Sequence, residues 1–289
     1  MNILVTGATG FIGRHLTSQL ISDGHDVSAL VRPDSDTSAV PQKVRIIDSA
    51  NVETIFKEND FDGIIHLATF FTPAHTNENL HELIESNITF GTKLLDASTK
   101  ANLSWFINTG TFSQYGEDGS YSPANLYSAT KQAFADVVKH YSLASKTNIL
   151  TLILFNTFGP NDPRTKIFTL WKSAMDSGDM VDMSLGEQVI DITHIDNIID
   201  GYRRAVELLE KDSDRKLNGR IFSLPSQERM TLKELATLFA EVLGKPLPVT
   251  FGATPYRNNE IMNPIQGTIL PGWKQNMSLR EGIKRTFVD

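Results

Sequence analysis

Along the first half of the chain, short runs that are apolar on both faces alternate with stretches whose apolar residues recur every three or four positions. Residues 3–5, 27–31, 44–47, 64–67, 105–107 and 149–155 are such runs, rich in Val and Ile. Continuous apolarity marks strands covered by helices on both sides. Between the runs, Ile12, Leu16 and Leu20 recur at a spacing of four, and Leu94 and Leu95 belong to a longer helical pattern over about 78–100. Strand and helix in alternation predict an α/β fold, a doubly wound parallel sheet with right-handed crossovers. After Phe155 the rhythm breaks, and Pro160, Pro163, Pro225, Pro246, Pro248, Pro255, Pro264 and Pro271 punctuate shorter elements. Two helix starts remain legible there as capping boxes, Thr231 with Glu234 and Ser278 with Glu281. The expected division is a sheet domain over 1–160, rejoined by about 187–212, and a smaller C-terminal lobe made of 161–186 and 213–289. Ligands of open α/β sheets bind beyond the carboxyl ends of the strands, so the lobe is expected to close a substrate pocket there.

Composition narrows the function. Lys and Arg number 27 against 34 Asp and Glu, a net charge of −7 over 289 residues. A general nucleic-acid binder shows a basic face, so none is expected as partner, although local arginines can still hold a phosphate. The absence of cysteine removes thiolate metal sites, redox dithiols and disulfides together. Residues 1–6 form a short apolar run without a basic leader, and no segment reaches the ~20 apolar residues of a membrane span. A soluble, cytoplasmic enzyme without a membrane partner is expected. No histidine stands in a metal-binding spacing such as HExxH, so no metal is expected.

The first run leads straight into Thr6-Gly7-Ala8-Thr9-Gly10-Phe11-Ile12-Gly13, a GxxGxxG pattern that opens the first helix. Gly7 allows the tight turn, Gly10 lets backbone N–H groups approach a pyrophosphate, and Gly13 lets helix and strand pack closely. The strand before and the helix after give this pattern its weight as a dinucleotide site. At the end of the second run an NAD site places an acidic residue on the ribose 2′-hydroxyl. Here Val31 is followed by Arg32, which attracts a 2′-phosphate, so NADP(H) is favoured over NAD(H).

Tyr127-Ser128-Ala129-Thr130-Lys131 is a YxxxK sequence in a helical stretch. Positions four apart share a helix face, so phenol and ammonium can share a site. A neighbouring cation is expected to lower the phenol pKa and make Tyr127 a usable proton carrier. Upstream, the run at 105–107 ends in Asn108-Thr109-Gly110-Thr111, at the strand edge where ligands bind. Thr111 is expected to donate a hydrogen bond to a substrate carbonyl while Tyr127 supplies the proton.

TGATGFIG, NTGTFSQYG, YSATK and LFNTFGP, in this order, resemble the extended short-chain dehydrogenase/reductases of the NAD-dependent epimerase/dehydratase family that act on nucleotide sugars. The resemblance covers essentially the whole chain and implies a Rossmann sheet with a substrate-binding lobe. It implies a catalytic triad of Thr111, Tyr127 and Lys131, with Lys131 also holding the nicotinamide ribose. The cofactor would lie on Gly7, Thr9, Gly10, Phe11, Ile12, Gly13 and Arg32. Asp48 and Ser49 would lie near adenine, and Leu67, Ala68 and Thr69 along the cofactor. Asn87 would support the site, and Thr109, Phe155 and Thr157 would flank the nicotinamide. The nucleotide-sugar substrate would meet Phe71, Thr111, Phe112 and Asn156, with Arg164, Lys166 and Arg257 toward its diphosphate. A homodimer through two long helices, about 78–100 and 125–146, is a further implication.

Three chemistries share this family: epimerisation, 4,6-dehydration and carbonyl reduction. Its dehydratases carry Thr-Asp-Glu where this chain has Thr111-Phe112-Ser113, and Phe112 cannot transfer a proton. Its epimerases match an acid after the second strand, from which Arg32 departs. The expected activity is NADPH-dependent reduction of a nucleotide-linked 4-keto-6-deoxyhexose. A 4-epimerase holding NAD, a reductase of a carbonyl without a nucleotide, and a non-catalytic dinucleotide sensor remain alternatives. Ile190 stands where the family's Arg-Asp-Tyr-Ile-His motif has its arginine, so that diphosphate contact is absent or supplied from elsewhere. His194, in the same segment, is expected to be structural.

Overall fold

The computed structural model describes residues 1–288. The apolar runs become β1 (Asn2–Thr6), β2 (Asp26–Val31), β3 (Arg45–Asp48), β4 (Gly63–His66), β5 (Trp105–Thr111) and β6 (Asn148–Leu154). Shorter strands follow: β7 (Asn156–Phe158), β8 (Val181–Met183), β9 (Val189–Ile190), β10 (Ile192–His194), β11 (Arg220–Ser223), β12 (Met230–Thr231) and β13 (Val249–Phe251). Seven of them form one parallel sheet in the order β11-β6-β5-β4-β1-β2-β3. Connections run outward in opposite directions from β1 and β4, which opens a crevice at the carboxyl ends of those two strands.

The inner strands β1, β2, β4, β5 and β6 bury both faces, which is why their sequences read as continuous apolar runs, whereas β3 at the sheet edge is largely exposed. In β1, Ile3 and Val5 join one core while Leu4 joins the other. The first core lies under α1 (Phe11–Ser22) and contains Leu16, Leu20, Leu150 and Leu152. The second lies under α2 (Val52–Glu58) and a broken helix, α3 (Leu80–Ile84) with α4 (Phe90–Lys100), and contains Leu94 and Leu95. It also takes Phe134 and Val138 from α5 (Leu126–Ala144). The pattern over 78–100 predicts one continuous helix. Instead, residues 85–89 form a widened π turn that inserts Asn87 into the interior.

A third core gathers Phe168, Trp171, Leu235, Phe239, Leu279 and Ile283. They come from α6 (Ile167–Ser177), α8 (Leu232–Leu243) and α9 (Leu279–Phe287). Both capping boxes form, at Thr231 of α8 and Ser278 of α9. Between these helices, α7 (Ile195–Glu210) returns to the first core through Ile195, Ile198, Tyr202 and Val206. Residues 220–223 are expected in the lobe but pair in parallel with β6 as the seventh strand. The run is only four residues long in proline-rich surroundings, and Phe222 with Leu224 anchors it in the sheet core. Leu270 and Trp273 return to that core once more before α9. The chain therefore crosses between the sheet and the smaller core repeatedly.

Candidate active site

The glycine turn fits a dinucleotide pyrophosphate. Gly7 has φ of +69°, and a Cβ there would lie 2.7 Å from the Ala68 nitrogen. A Cβ on Gly13 would lie 2.1 Å from the Gly7 carbonyl oxygen, so any side chain would push helix and strand apart. Gly10 caps α1 without a side-chain hydrogen bond, which leaves its first N–H groups free for an anion. Behind the turn, the Thr6 hydroxyl and His66 Nδ1 lie 2.8 Å apart, and the Ala68 N–H donates to the Thr6 hydroxyl at 3.1 Å. Burial pushes His66 down to about 3, so the ring is neutral and joins β1 to β4 at the crevice.

Gly7, Thr9, Gly10, Phe11, Ile12 and Gly13 border a cleft of about 1990 Å³. Arg32, Ser49, Leu67, Ala68, Thr69, Thr109, Phe155 and Thr157 border the same cleft. Arg32 stands at its rim, 73% exposed and 3.4 Å from Glu82. Asp48, at the end of β3, instead accepts from the Ala50 N–H at 2.8 Å and caps the turn that carries Ser49. Thr109 shares a 2.7 Å hydrogen bond with the buried Tyr202 hydroxyl. Asn87 is buried behind the cleft wall. Its Oδ1 accepts from the Thr69 hydroxyl and the Phe70 N–H, both at 2.8 Å, and its Nδ2 donates to the Thr130 hydroxyl at 3.0 Å. The π turn thereby fastens the segment after β4 to α5.

Thr111 ends β5 and Tyr127 lies in the first turn of α5, and both border the cleft. Lys131 lies one turn further along α5 and is buried. The Tyr127 ring packs edge-on against Phe71, with centroids 4.9 Å apart. Burial raises the phenol to about 12, offset in part by the neighbouring Thr69 hydroxyl. Lys131 does not lower it, contrary to expectation; burial instead brings the ammonium itself down to about 8. Desolvation disfavours the charged form of each group.

Phe71, Thr111, Phe112, Asn156, Arg164, Lys166 and Arg257, the residues expected to meet a substrate, all border the cleft. Phe112 stacks on Phe155, with centroids 5.3 Å apart and planes 15° apart. The Asn156 amide is held by its Nδ2 donating to the Asp191 carbonyl at 3.0 Å. Lys166 Nζ lies 4.2 Å over the Phe71 ring, and its pKa is lowered by burial and then by Arg164 and Arg257. Arg164 is less free than expected for a diphosphate clamp. It pairs with the buried Asp162 through two 2.7 Å bonds and lies 4.4 Å over the Phe11 ring. Ile190 borders the cleft, whereas the nearby Arg229 is spent on the buried Asp191 carboxylate at 3.0 Å. His194 caps α7, accepting from the Asp196 N–H through Nδ1 at 3.2 Å, and burial holds it down to about 4. Among the described residues, no cluster of His, Asp and Glu could hold a metal ion.

Ser113, Ser128 and Asn125 do not stand out as site residues in the sequence. Their hydroxyls and amide join Thr111 in one hydrogen-bonded chain. The signal was present, since Ser113 and Ser128 lie inside the quoted motifs, but only the packing of α5 on β5 brings them together. Glu117 does not stand out either. Its carboxylate accepts from the Met262 and Asn263 N–H groups at 2.8 and 3.1 Å and joins the loop after β5 to the loop of Arg257.

Fold and cleft together define an extended short-chain dehydrogenase/reductase, an NAD(P)-dependent enzyme. The profile of the NAD dependent epimerase/dehydratase family matches residues 3–219, and the chain belongs to that family. A CDP-abequose synthase of Salmonella typhimurium is 27% identical over 98% of this chain and 96% of its own. A UDP-glucose 4-epimerase of Corynebacterium glutamicum is 26% identical over 86% of this chain and 82% of its own. In fold, the chain is similar to UDP-glucuronic acid 4-epimerase of Bacillus cereus, solved with UDP-glucuronic acid and NAD. That likeness has a TM-score of 0.86 at 22% identity and covers 99% of this chain and 98% of the other.

Proposed function

We propose that this enzyme is an NADPH-dependent reductase of a nucleotide-linked 4-keto-6-deoxyhexose. The observation that carries the reading is the half-buried Tyr127 phenol on the wall of the cleft that Thr111 also borders, where desolvation raises it to about 12 and favours its protonated form. Reduction begins by giving that proton away, whereas an epimerase must begin by removing one. The dinucleotide supplies hydride to the ketone carbon when bound. Tyr127 protonates the oxygen as it gains negative charge, Thr111 hydrogen-bonds the same oxygen, and Lys131, one helical turn from Tyr127, would hold the ribose when the dinucleotide is bound. Phe112 offers no carboxylate for dehydration, and its stacking on Phe155 walls the sugar site. Arg257 and Lys166 border the cleft where an anionic diphosphate would relieve their mutual repulsion.

NADPH is preferred in this reading because Arg32 stands beyond β2 in place of an acid. A 2′-phosphate competes with Glu82 for it through charge-assisted bonds. Relatives named CDP-abequose synthase match nearly the whole chain, which supports a nucleotide-linked sugar as substrate. The reading includes a cytoplasmic homodimer through α4 and α5, which light scattering on the purified protein tests. NADPH consumption with a panel of nucleotide-linked 4-keto-6-deoxyhexoses tests the activity, and no consumption with any of them defeats it. Relatives named UDP-glucose 4-epimerase favour a second reading. Purified protein carrying stoichiometric NAD and interconverting 4-epimers without net oxidation of NADPH would establish it.

A further inference from the structure

The direction of hydrogen bonds around Tyr127 follows from counting protons. The backbone N–H of Ser128 points at one Asn125 side-chain atom at 2.9 Å, and an N–H needs an acceptor, so that atom is Oδ1. The Ser128 hydroxyl lies 2.9 Å from the same oxygen and must donate to it, since a carbonyl oxygen has no proton to give. A hydroxyl has one proton. Ser128 Oγ has therefore only lone pairs left for Ser113 Oγ at 2.7 Å, and Ser113 must be the donor. By the same step Thr111 must donate to Ser113 at 2.9 Å. Thr69 is wired likewise: Asn87 Oδ1, fixed by the Phe70 N–H, takes the Thr69 proton.

We propose that the Ser113–Ser128–Asn125 chain holds the Thr111 hydroxyl as a hydrogen-bond acceptor toward the cleft. Of Thr69, Thr111 and Tyr127, this leaves Tyr127 as the one hydroxyl whose proton can pass to the reacting oxygen. The inference rests on the keto-sugar reading and reverses the expected polarity of Thr111. A ketone oxygen has no proton and gains nothing from an acceptor. Once Tyr127 has protonated it, the new hydroxyl donates to Thr111, so Thr111 favours the alcohol over the ketone. Ser113, Ser128 and Asn125 are positioning residues for this selectivity.

Neutron diffraction from deuterium-exchanged crystals of the full chain with NADPH reads the wiring directly. Deuterons are expected on the Thr111–Ser113, Ser113–Ser128 and Ser128–Asn125 lines, and a Thr111 deuteron pointing into the cleft would overturn the proposal. Calorimetric titration reads its effect, with CDP-glucose compared with its 4-deoxy-4-fluoro analogue, which can accept but not donate at C4. Wild type is expected to prefer the hydroxyl form by about tenfold, the worth of one hydrogen bond. In Ser128→Ala the Ser113 proton is released toward Thr111, Thr111 can turn outward, and the preference should fall to about twofold, with Ser128→Thr restoring it. An unchanged preference in Ser128→Ala would overturn the proposal. Deuterons lying as expected in an enzyme that reduces no keto sugar would support the wiring and defeat the substrate reading alone.

Discussion

Tyr127→Phe removes one oxygen and leaves the ring against Phe71, so it isolates the proton that the proposed reduction takes from this residue. Turnover is expected to fall by ~10²–10⁴ or more in steady-state reduction assays, while NADPH affinity by fluorescence titration stays within about twofold of wild type. Equal turnover in the two proteins would falsify the role. Arg32→Ala tests the cofactor preference at the other end of the cleft. Loss of a charge-assisted contact should raise the KM for NADPH about 10- to 100-fold and leave that for NADH nearly unchanged. Both residues stand out in the sequence because their chemistry is local, a YxxxK spacing and a cation after a strand. The hydroxyl chain from Thr111 to Asn125 does not, since each link joins residues whose proximity exists only after α5 packs on β5. The shifts of Tyr127 and Lys131 are hidden as well: helix spacing shows that the two are neighbours, not that burial governs both.

His66 shows what an element contributes. It ends β4, bonds Thr6 of β1, and fixes the two strands between which the crevice opens. The folded ring titrates near 3 and the unfolded one near 6.5, so between these values the unfolded chain binds the extra proton. Stability is therefore lost as pH falls from 6.5 toward 3. In His66→Gln, whose amide keeps a partner for Thr6 but does not titrate, the fall of Tm with acidification is expected to be shallower. Parallel slopes for the two proteins would contradict this. The strands themselves were legible because burial on both faces leaves an unbroken apolar run. The break between α3 and α4 was not, for a π turn adds only one residue, an offset too small to stand out in the apolar pattern. β11 escaped notice because Arg-Ile-Phe-Ser is too short to show a period; its partner β6 gives it a place.

At the scale of the whole molecule, Glu117 ties the loop that follows β5 to the loop that carries Arg257. Glu117→Ala frees two N–H groups at an exposed site and lets the Arg257 loop drift from the cleft. The KM for a nucleotide-linked keto sugar is expected to rise about three- to tenfold, with kcat within about twofold of wild type. A kcat falling as far as KM rises would place Glu117 in the chemistry instead. The sequence indicated a smaller lobe but not how it is threaded, because the threading depends on which core each short segment joins. The return of α7, of β11 and then of Leu270 and Trp273 to the sheet leaves no single pair of cuts that releases the lobe as one continuous piece. A graft that exchanged it for another would need several seams to rejoin at once. In lineages sharing this layout, new sugar preferences should therefore arise by single replacements around the cleft mouth, and not by import of a ready-made module.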